Sequence, residues 1–114
     1  MTYHMFFGFN LSPGADVRQA ARSLENLTRH LVEIDLLQSV TPLQIRDRHP
    51  VLDTANDMTQ TYFATMTFRD RAQADACVAH VYEWSDPTDH LHKGFIGLTT
   101  DQVFICFEDQ HRIS

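Results

Sequence analysis

The chain has 114 residues, which is enough for one compact domain and too few for two of ordinary size. Hydrophobic residues make up 43% and charged residues 21%, so the composition is that of a globular domain and excludes a disordered chain. The formal net charge of −6 disfavours partners that need a basic face. We therefore expect neither nucleic acid nor an anionic membrane as a partner.

The first strand is predicted at residues 3–11, where the sequence YHMFFGFNL is rich in aromatic residues and is followed by the turn sequence Ser-Pro-Gly. Both of its alternating sets of side chains are largely apolar, and such a strand is normally covered on both faces. An amphipathic helix follows, capped by Ser12 or Asp16 and ending near residue 38, because apolar residues recur there at three- and four-residue steps.

A weaker strand is predicted at 40–48, where a proline and several charged residues suit the edge of a sheet. After a long loop at 49–60, residues 61–68 form a strong strand. Asp70 caps a second helix that runs to about Trp84.

The remaining predicted elements are a turn or single helical turn at 94–100 and a last strand at 102–108, again apolar on both sides. This order, β-α-β-β-α-β, is the ferredoxin-like α+β pattern, with a four-stranded antiparallel sheet and two helices on one face. We expect one domain at 1–109 and a C-terminal tail at 110–114.

The second face of the predicted sheet has no cover within the chain. Two helices cover one face, yet the first and last strands are apolar on both. An uncovered apolar patch marks an interface, and symmetric pairs dominate soluble oligomers, so we expect a homodimer through the open sheet face. The alternative is a monomer with a wet aromatic sheet, as in RNA-binding domains of this topology. The net charge of −6 and the lack of Lys and Arg on those strands argue against it.

The two cysteines fall in a predicted helix and a predicted strand. Cys77 and Cys106 are therefore expected as free, buried thiols in a reducing cytoplasm rather than as a disulfide. The N-terminal stretch MTYHMFFGFN lacks a basic flank and a small-residue cleavage site, so it does not predict a secretory signal. Both observations favour a cytoplasmic location.

His4 lies in the middle of an aromatic strand, where an imidazole needs hydrogen-bond partners. Phe6 and Gly8 share its face, and a glycine in a central strand leaves space above it. The face carrying these three residues is therefore a candidate pocket lining. The alternative is a hydrogen-bonded core histidine with no cavity.

The most unusual stretch is DPTDHLHK at 86–93, with two acids and two histidines after the second helix. A metal site, an acid–base site and an exposed polar turn are all open interpretations. The metal interpretation is weakened because no third ligand follows at a recognisable spacing. Tyr82 and Trp84 close the preceding helix and point toward this stretch. Tyr82 is a candidate hydrogen-bond donor, and Trp84 is a candidate pocket residue whose simpler interpretation is a core anchor.

An early strand histidine, a second helix ending in Tyr82 and then the stretch ending at His90 together resemble the stress-responsive A/B-barrel family of dimeric α+β barrels. Members typically carry an HPxH-like turn after the second helix; here Asp86 stands at the first histidine, and two residues separate Pro87 from His90. In polyketide cyclases of this family a histidine of that turn is the base. The resemblance implies that His90 is the base, Tyr82 the donor and His4 a pocket neighbour, and that no cofactor is needed.

Three hypotheses follow from these residues. The first is a cofactor-independent enzyme that transfers protons on, or oxygenates, a small, partly apolar, oxygenated molecule. The second is a dimeric ligand-binding or stress-related protein without catalysis. The third is a metal site formed by His90, His92 and an aspartate.

Overall fold

The computed structural model describes residues 1–110 and contains three helices and one antiparallel sheet within them. The elements are β1 (Tyr3–Leu11), α1 (Val17–Glu33), β2 (Ser39–Val40), β3 (Gln44–Ile45), β4 (Tyr62–Phe68), α2 (Arg71–Val81), α3 (Thr88–Ile96) and β5 (Thr99–Glu108). The strands are ordered β2-β4-β1-β5, and β3 pairs with β4 beside β2. This is the predicted ferredoxin-like α+β arrangement.

The sheet differs from the prediction at its edge. The strand expected at 40–48 is two short pieces, β2 and β3, which both pair with β4. Pro42 lies between them and has no amide hydrogen to donate to the neighbouring strand. The strand count is therefore five rather than four in the described residues.

The register of the central strand divides the sheet into two chemically distinct faces. Phe7 lies opposite Ala64 on β4 and Phe104 on β5, whereas His4 lies opposite Thr67 and Phe107. Directly opposed residues share a face, and successive residues alternate. We call the face with Phe7 the helix face and the face with His4 the open face.

The helix face supports the hydrophobic core. Phe7 and Phe9 are at most 1% exposed, and the ring of Phe95 from α3 packs edge-on against both. The buried cluster joins all three helices to β1 and β4; its members include Leu24, Leu27, Leu31, Ala64, Met66, Phe68, Ala74 and Cys77. The apolar stripe of α1 therefore faces the sheet, as its spacing predicts.

The open face remains in contact with solvent. Ile105 and Phe107 of β5 are 49% and 47% exposed, and Phe6 and Phe63 are only partly buried. No helix of the described chain covers these side chains, so the open face is an apolar surface.

The helix boundaries reflect local capping. The carboxylate of Asp16 accepts from the backbone amide of Arg18, and that of Asp70 accepts from the amide of Gln73, so α1 and α2 begin where these caps allow. Both helices end earlier than predicted, α1 at Glu33 and α2 at Val81.

The stretch at 86–93 is mostly helical rather than a turn. Helix α3 runs from Thr88 to Ile96, and its buried residues Thr88 and Phe95 tie both ends to the core. In the described part of the chain, no helix has the length and apolar character needed to cross a membrane. Residues 111–114 of the predicted C-terminal tail lie outside the described residues.

Candidate functional site

A cavity of about 250 Å³ lies between the helix face of the sheet and the three helices. The sheet contributes Met5, Phe7, Met66, Phe68 and Phe104, and helices α1 and α2 contribute Leu27, Leu31, Cys77, Val78 and Val81. Its wall is therefore almost entirely apolar, which is typical of sites for small molecules.

The polar groups of the cavity come from α3 and from the segment before it. His92, Phe95 and Ile96 of α3 line it, together with Tyr82 and Trp84. The aromatic rings of Tyr82 and Trp84 meet edge to face at 5.9 Å, and both side chains are more than half exposed. They form the rim of the cavity, so Trp84, a candidate pocket residue in the sequence, is not buried as the alternative of a core anchor requires.

A cation lies over this rim. The Nζ atom of Lys93 is 5.4 Å from the centre of the Trp84 ring and also 3.0 Å from Oδ2 of Asp89. A cation over an indole face is attractive, and the carboxylate holds the amine in place. Lys93 therefore lies between the carboxylate of Asp89 and the indole ring of Trp84 at the rim.

His92 is the titratable imidazole of the cavity wall. Burial lowers the pKa of His92 below its ordinary value of 6.5, and the charge of Asp89 opposes that shift. Desolvation disfavours the imidazolium, so at neutral pH His92 is the neutral ring with one nitrogen free to accept a proton. A neutral imidazole in an apolar cavity can act as a general base.

The two histidines of α3 lie in positions opposite to those expected. His90 is exposed, whereas His92 is half-buried and lines the cavity. Residues two apart on a helix are about 200° apart around its axis, so both cannot face the same cavity. The expectation of His90 at the cavity and His92 at the surface assumed a turn. Because these residues are helical, His92 faces the cavity and His90 faces solvent.

His4 does not share the cavity with Tyr82. It lies on the open face, where Nδ1 is 3.0 Å from the hydroxyl of Thr67 and Nε2 is 2.8 Å from Oδ1 of Asp109, and its ring stacks on Phe107. Both ring nitrogens are thus satisfied, as in the alternative of a hydrogen-bonded histidine without a cavity. Its separation from the cavity follows from the side-chain alternation of β1.

Phe6 and Gly8 belong to the open face as well and line no part of the cavity. A Cβ atom built on Gly8 would lie 3.0 Å from a methyl group of Val103 and 3.1 Å from the ring of Phe63. Two neighbouring side chains therefore fill the space beside Gly8. Within the described residues, the expected pocket above His4, Phe6 and Gly8 is not present there.

Cys77 lines the cavity without being activated. Burial raises the pKa of its thiol to about 11, so the thiolate is scarce at neutral pH and the residue acts as an apolar wall. Cys106 is exposed, contrary to the expectation that both thiols are buried; both are free.

The metal interpretation has no geometric support among the described residues. Within 1–110, no three side chains of the types His, Cys, Asp and Glu lie close enough together to bind a metal ion. The sequence missed His92 as the cavity residue; the signal that could have found it is the helical spacing of Leu91, Phe95 and Ile96 around it.

No protein-family model and no curated protein matches the sequence. Solved structures do match the fold. At3g17210 from Arabidopsis thaliana has a TM-score of 0.70 at 11% identity, with 100% of both chains covered. SnoaB from Streptomyces nogalater, a cofactor-independent oxygenase solved as a point mutant, has a TM-score of 0.67 at 12% identity, over 98% of this chain and 96% of that one.

A hydroxynitrile lyase from Passiflora edulis is also similar, with a TM-score of 0.63 at 15% identity, over 99% of this chain and 96% of the other. Further similar structures from Jannaschia sp., Bacteroides fragilis and Thermobifida fusca are described as dimeric ferredoxin-like proteins of unknown function. At such identities the likeness shows the ferredoxin-like α+β fold alone.

Proposed function

We propose that this protein is a cofactor-independent enzyme that moves a proton on a small, largely apolar molecule carrying an oxygen function. The observation that carries the proposal is His92, an imidazole with a lowered pKa, in the wall of a cavity that is otherwise almost entirely apolar. An apolar cavity favours a substrate with a largely apolar skeleton, and a neutral base in its wall can remove a proton from that substrate.

Two polar groups of the cavity, His92 and Tyr82, have roles in this proposal. His92 accepts the proton from an acidic C–H or O–H bond of the substrate, and the hydroxyl of Tyr82 donates a hydrogen bond to the oxygen on which negative charge develops. The electron pair left by the proton then drives isomerisation, ring closure or elimination within the substrate. The reaction needs no external oxidant and returns the proton from His92 to the product or to water.

The similar structures support this class of activity without specifying it. One is described as a cofactor-independent oxygenase and another as a hydroxynitrile lyase, so the same fold carries enzymes. Oxygenation of an electron-rich ring by molecular oxygen can also begin with removal of a proton, which makes it a second reaction class for the same base. Membership of the stress-responsive A/B-barrel family and a cytoplasmic location remain predictions.

A chromogenic probe tests the base. 5-Nitrobenzisoxazole is small, aromatic and apolar; removal of its carbon-bound proton breaks the N–O bond and releases a coloured nitrophenolate. We expect saturable turnover above the buffer rate, and a loss of about 100-fold or more in His92→Gln. His90→Gln is the matched control and should keep the rate. Equal rates for the wild type and His92→Gln would contradict the proposal.

A non-catalytic ligand-binding protein is the alternative, and the same cavity supports it. Binding of 2-naphthol and turnover of 5-nitrobenzisoxazole together distinguish the two. 2-Naphthol is an aromatic compound with one hydroxyl, and its absorbance changes when the hydroxyl ionises. Saturable binding with no turnover of 5-nitrobenzisoxazole would favour the binding protein. Binding that is lost in a cavity-filling Cys77→Phe variant would place the ligand in this cavity.

We further propose a homodimer through the open face. Ile105 and Phe107 are about half exposed there, and Phe6 and Phe63 extend the apolar surface. Similar structures described as dimers support the proposal. The double variant Ile105→Asp/Phe107→Asp should be monomeric by sedimentation equilibrium. Val32→Asp, at a 43% exposed position on α1, is the control and should remain a dimer. A wild-type monomer at all concentrations would contradict it.

A further inference from the structure

The longest stretch of the described residues without helix or strand lies between β3 and β4. We call residues 46–58 of this stretch the arm. Ten of the thirteen arm residues are exposed; the other three are Arg46, Asp53 and Met58. A connection of this length within a small domain is either disordered or functional.

A charged network fixes the arm in one conformation. The guanidinium of Arg46 donates from Nε to Oδ2 of Asp53 at 2.7 Å and from Nη2 to Oδ1 at 2.8 Å, and it also donates to the carbonyl oxygens of Ala55 and Met58. The side chain of Arg46 is only 7% exposed. A bidentate pair with two further backbone bonds specifies geometry strongly. The arm is thus an ordered element without regular secondary structure.

The tip of this ordered arm is apolar. The side chains of Val51 and Leu52 are 74% and 80% exposed, more than any other large hydrophobic residue of the described chain. The ring of His49 holds them in place, because its Nδ1 accepts from the backbone amides of both residues at 3.1 and 2.9 Å. A preorganised apolar tip in water is typical of a contact that is completed by another molecule.

The shape of the chain favours a second copy as that molecule. The radius of gyration is 15.0 Å, against about 13 Å for a compact domain of this length, and the extents of 50 × 41 × 19 Å describe a thin plate. A thin plate with one apolar face becomes compact when two copies meet face to face. Under two-fold symmetry, any contact that the arm of one copy makes with the other copy is made twice.

We propose that the arm is a clasp that packs Val51 and Leu52 against a second copy of this chain. The inference rests on the homodimer proposed above and adds a second contact region, distinct from the sheet face. Because both side chains are exposed within one copy, their replacement should weaken the dimer without unfolding the chain.

Sedimentation equilibrium of Val51→Ser/Leu52→Ser tests the clasp. We expect the dimer dissociation constant to rise at least tenfold. In the monomeric Ile105→Asp/Phe107→Asp background, the same two substitutions should leave the midpoint of urea unfolding unchanged. Val32→Ser is the matched control, an equally conservative change at another exposed apolar position, and should leave the dissociation constant unchanged.

A second variant tests the ordering of the arm. Arg46→Gln removes the pair with Asp53 but leaves the tip intact, so we expect faster amide hydrogen exchange across the arm and a smaller rise in the dissociation constant.

The outcomes separate this inference from the dimer itself. Dissociation by Ile105→Asp/Phe107→Asp but not by Val51→Ser/Leu52→Ser would overturn the clasp and leave the dimer standing. A wild-type monomer would overturn both. An unchanged dissociation constant combined with arm-dependent binding to phosphatidylcholine vesicles would assign the tip to a membrane surface and also overturn the clasp.

Discussion

His90 and His92 are two positions apart on α3, yet His92 lines the cavity and His90 is exposed to solvent. The pair therefore provides an internal comparison in which one imidazole is the candidate base and its neighbour is a surface residue of the same helix. An effect that His90→Gln and His92→Gln share comes from a change in the stability or position of α3, not from loss of the base.

The pH dependence of turnover should report the environment of His92. Because burial lowers the pKa of His92 below 6.5, the neutral base persists to lower pH than an ordinary histidine would. The rate of the 5-nitrobenzisoxazole reaction should therefore fall only below pH 6.5 on the acid side. An inflection above pH 6.5 would show that another group is the base.

The same shift has a consequence for stability. An unfolded His92 binds its proton near pH 6.5, whereas the folded chain binds it only at lower pH, so the unfolded state takes up more protons as the pH falls through 6.5. The free energy of unfolding should decline from pH 7 toward pH 5. In His92→Gln this decline should be shallower, and His90→Gln should retain the wild-type slope, as measured by urea titration.

The two cysteines should react at very different rates. Cys77 is buried in the cavity wall with a pKa of about 11, and Cys106 is exposed. Iodoacetamide at pH 7.5 should therefore modify one thiol rapidly and the second slowly. In Cys106→Ser the rapid phase should disappear, and saturating 2-naphthol should slow the remaining phase further. If 2-naphthol does not change the rate at which Cys77 is modified, it does not bind beside Cys77.

Thr88 should contribute to stability through its hydroxyl. This side chain is 1% exposed, and its Oγ1 atom lies 2.8 Å from Nε2 of both His30 and His80, which belong to α1 and α2. A hydroxyl carries one proton, so it donates to one ring and accepts from the other. Because Nδ1 of His80 faces Glu83 at 3.4 Å, we assign Thr88 as the donor to His80 and the acceptor from His30.

The variant Thr88→Val keeps the volume of the side chain and removes both hydrogen bonds. We expect the free energy of unfolding to fall by about 2 kcal/mol, since both rings lose their partner within the helix layer. Thr88→Ser is the control; it retains the hydroxyl and should lose only about 1 kcal/mol for the missing methyl group. Equal stability of the two variants would show that the shared hydroxyl contributes nothing.

Much of the fold was predictable because buried side chains recur at regular intervals along a helix or a strand. Strand β1 was predicted at its observed bounds of 3–11, and β4 and the start of α2 were each predicted to within one residue. These elements alternate or repeat their apolar residues over their whole length, and the carboxylate caps at Asp16 and Asp70 mark the helix starts.

The short edge strands and α3 were not predictable in the same way. β2 and β3 have two residues each, too few to show a period, and their pairing depends on β4 being in place. Helix α3 contains few apolar positions, and its two buried residues are held by contacts with α1, α2 and β1. Such contacts leave no local pattern, and the spacing of Leu91, Phe95 and Ile96 is the one signal of this helix in the sequence.

The sequence by itself determined the element order, the buried stripe of each main helix and an apolar surface left over on the sheet, because hydrophobic periodicity is a local property of the chain. Tertiary structure decided which residues share the cavity. Alternation along β1 put His4 on the face opposite Tyr82, and the helical form of 88–96 turned His92 inward in place of His90. A site depends on which faces meet, and that is fixed only when helices and sheet pack together.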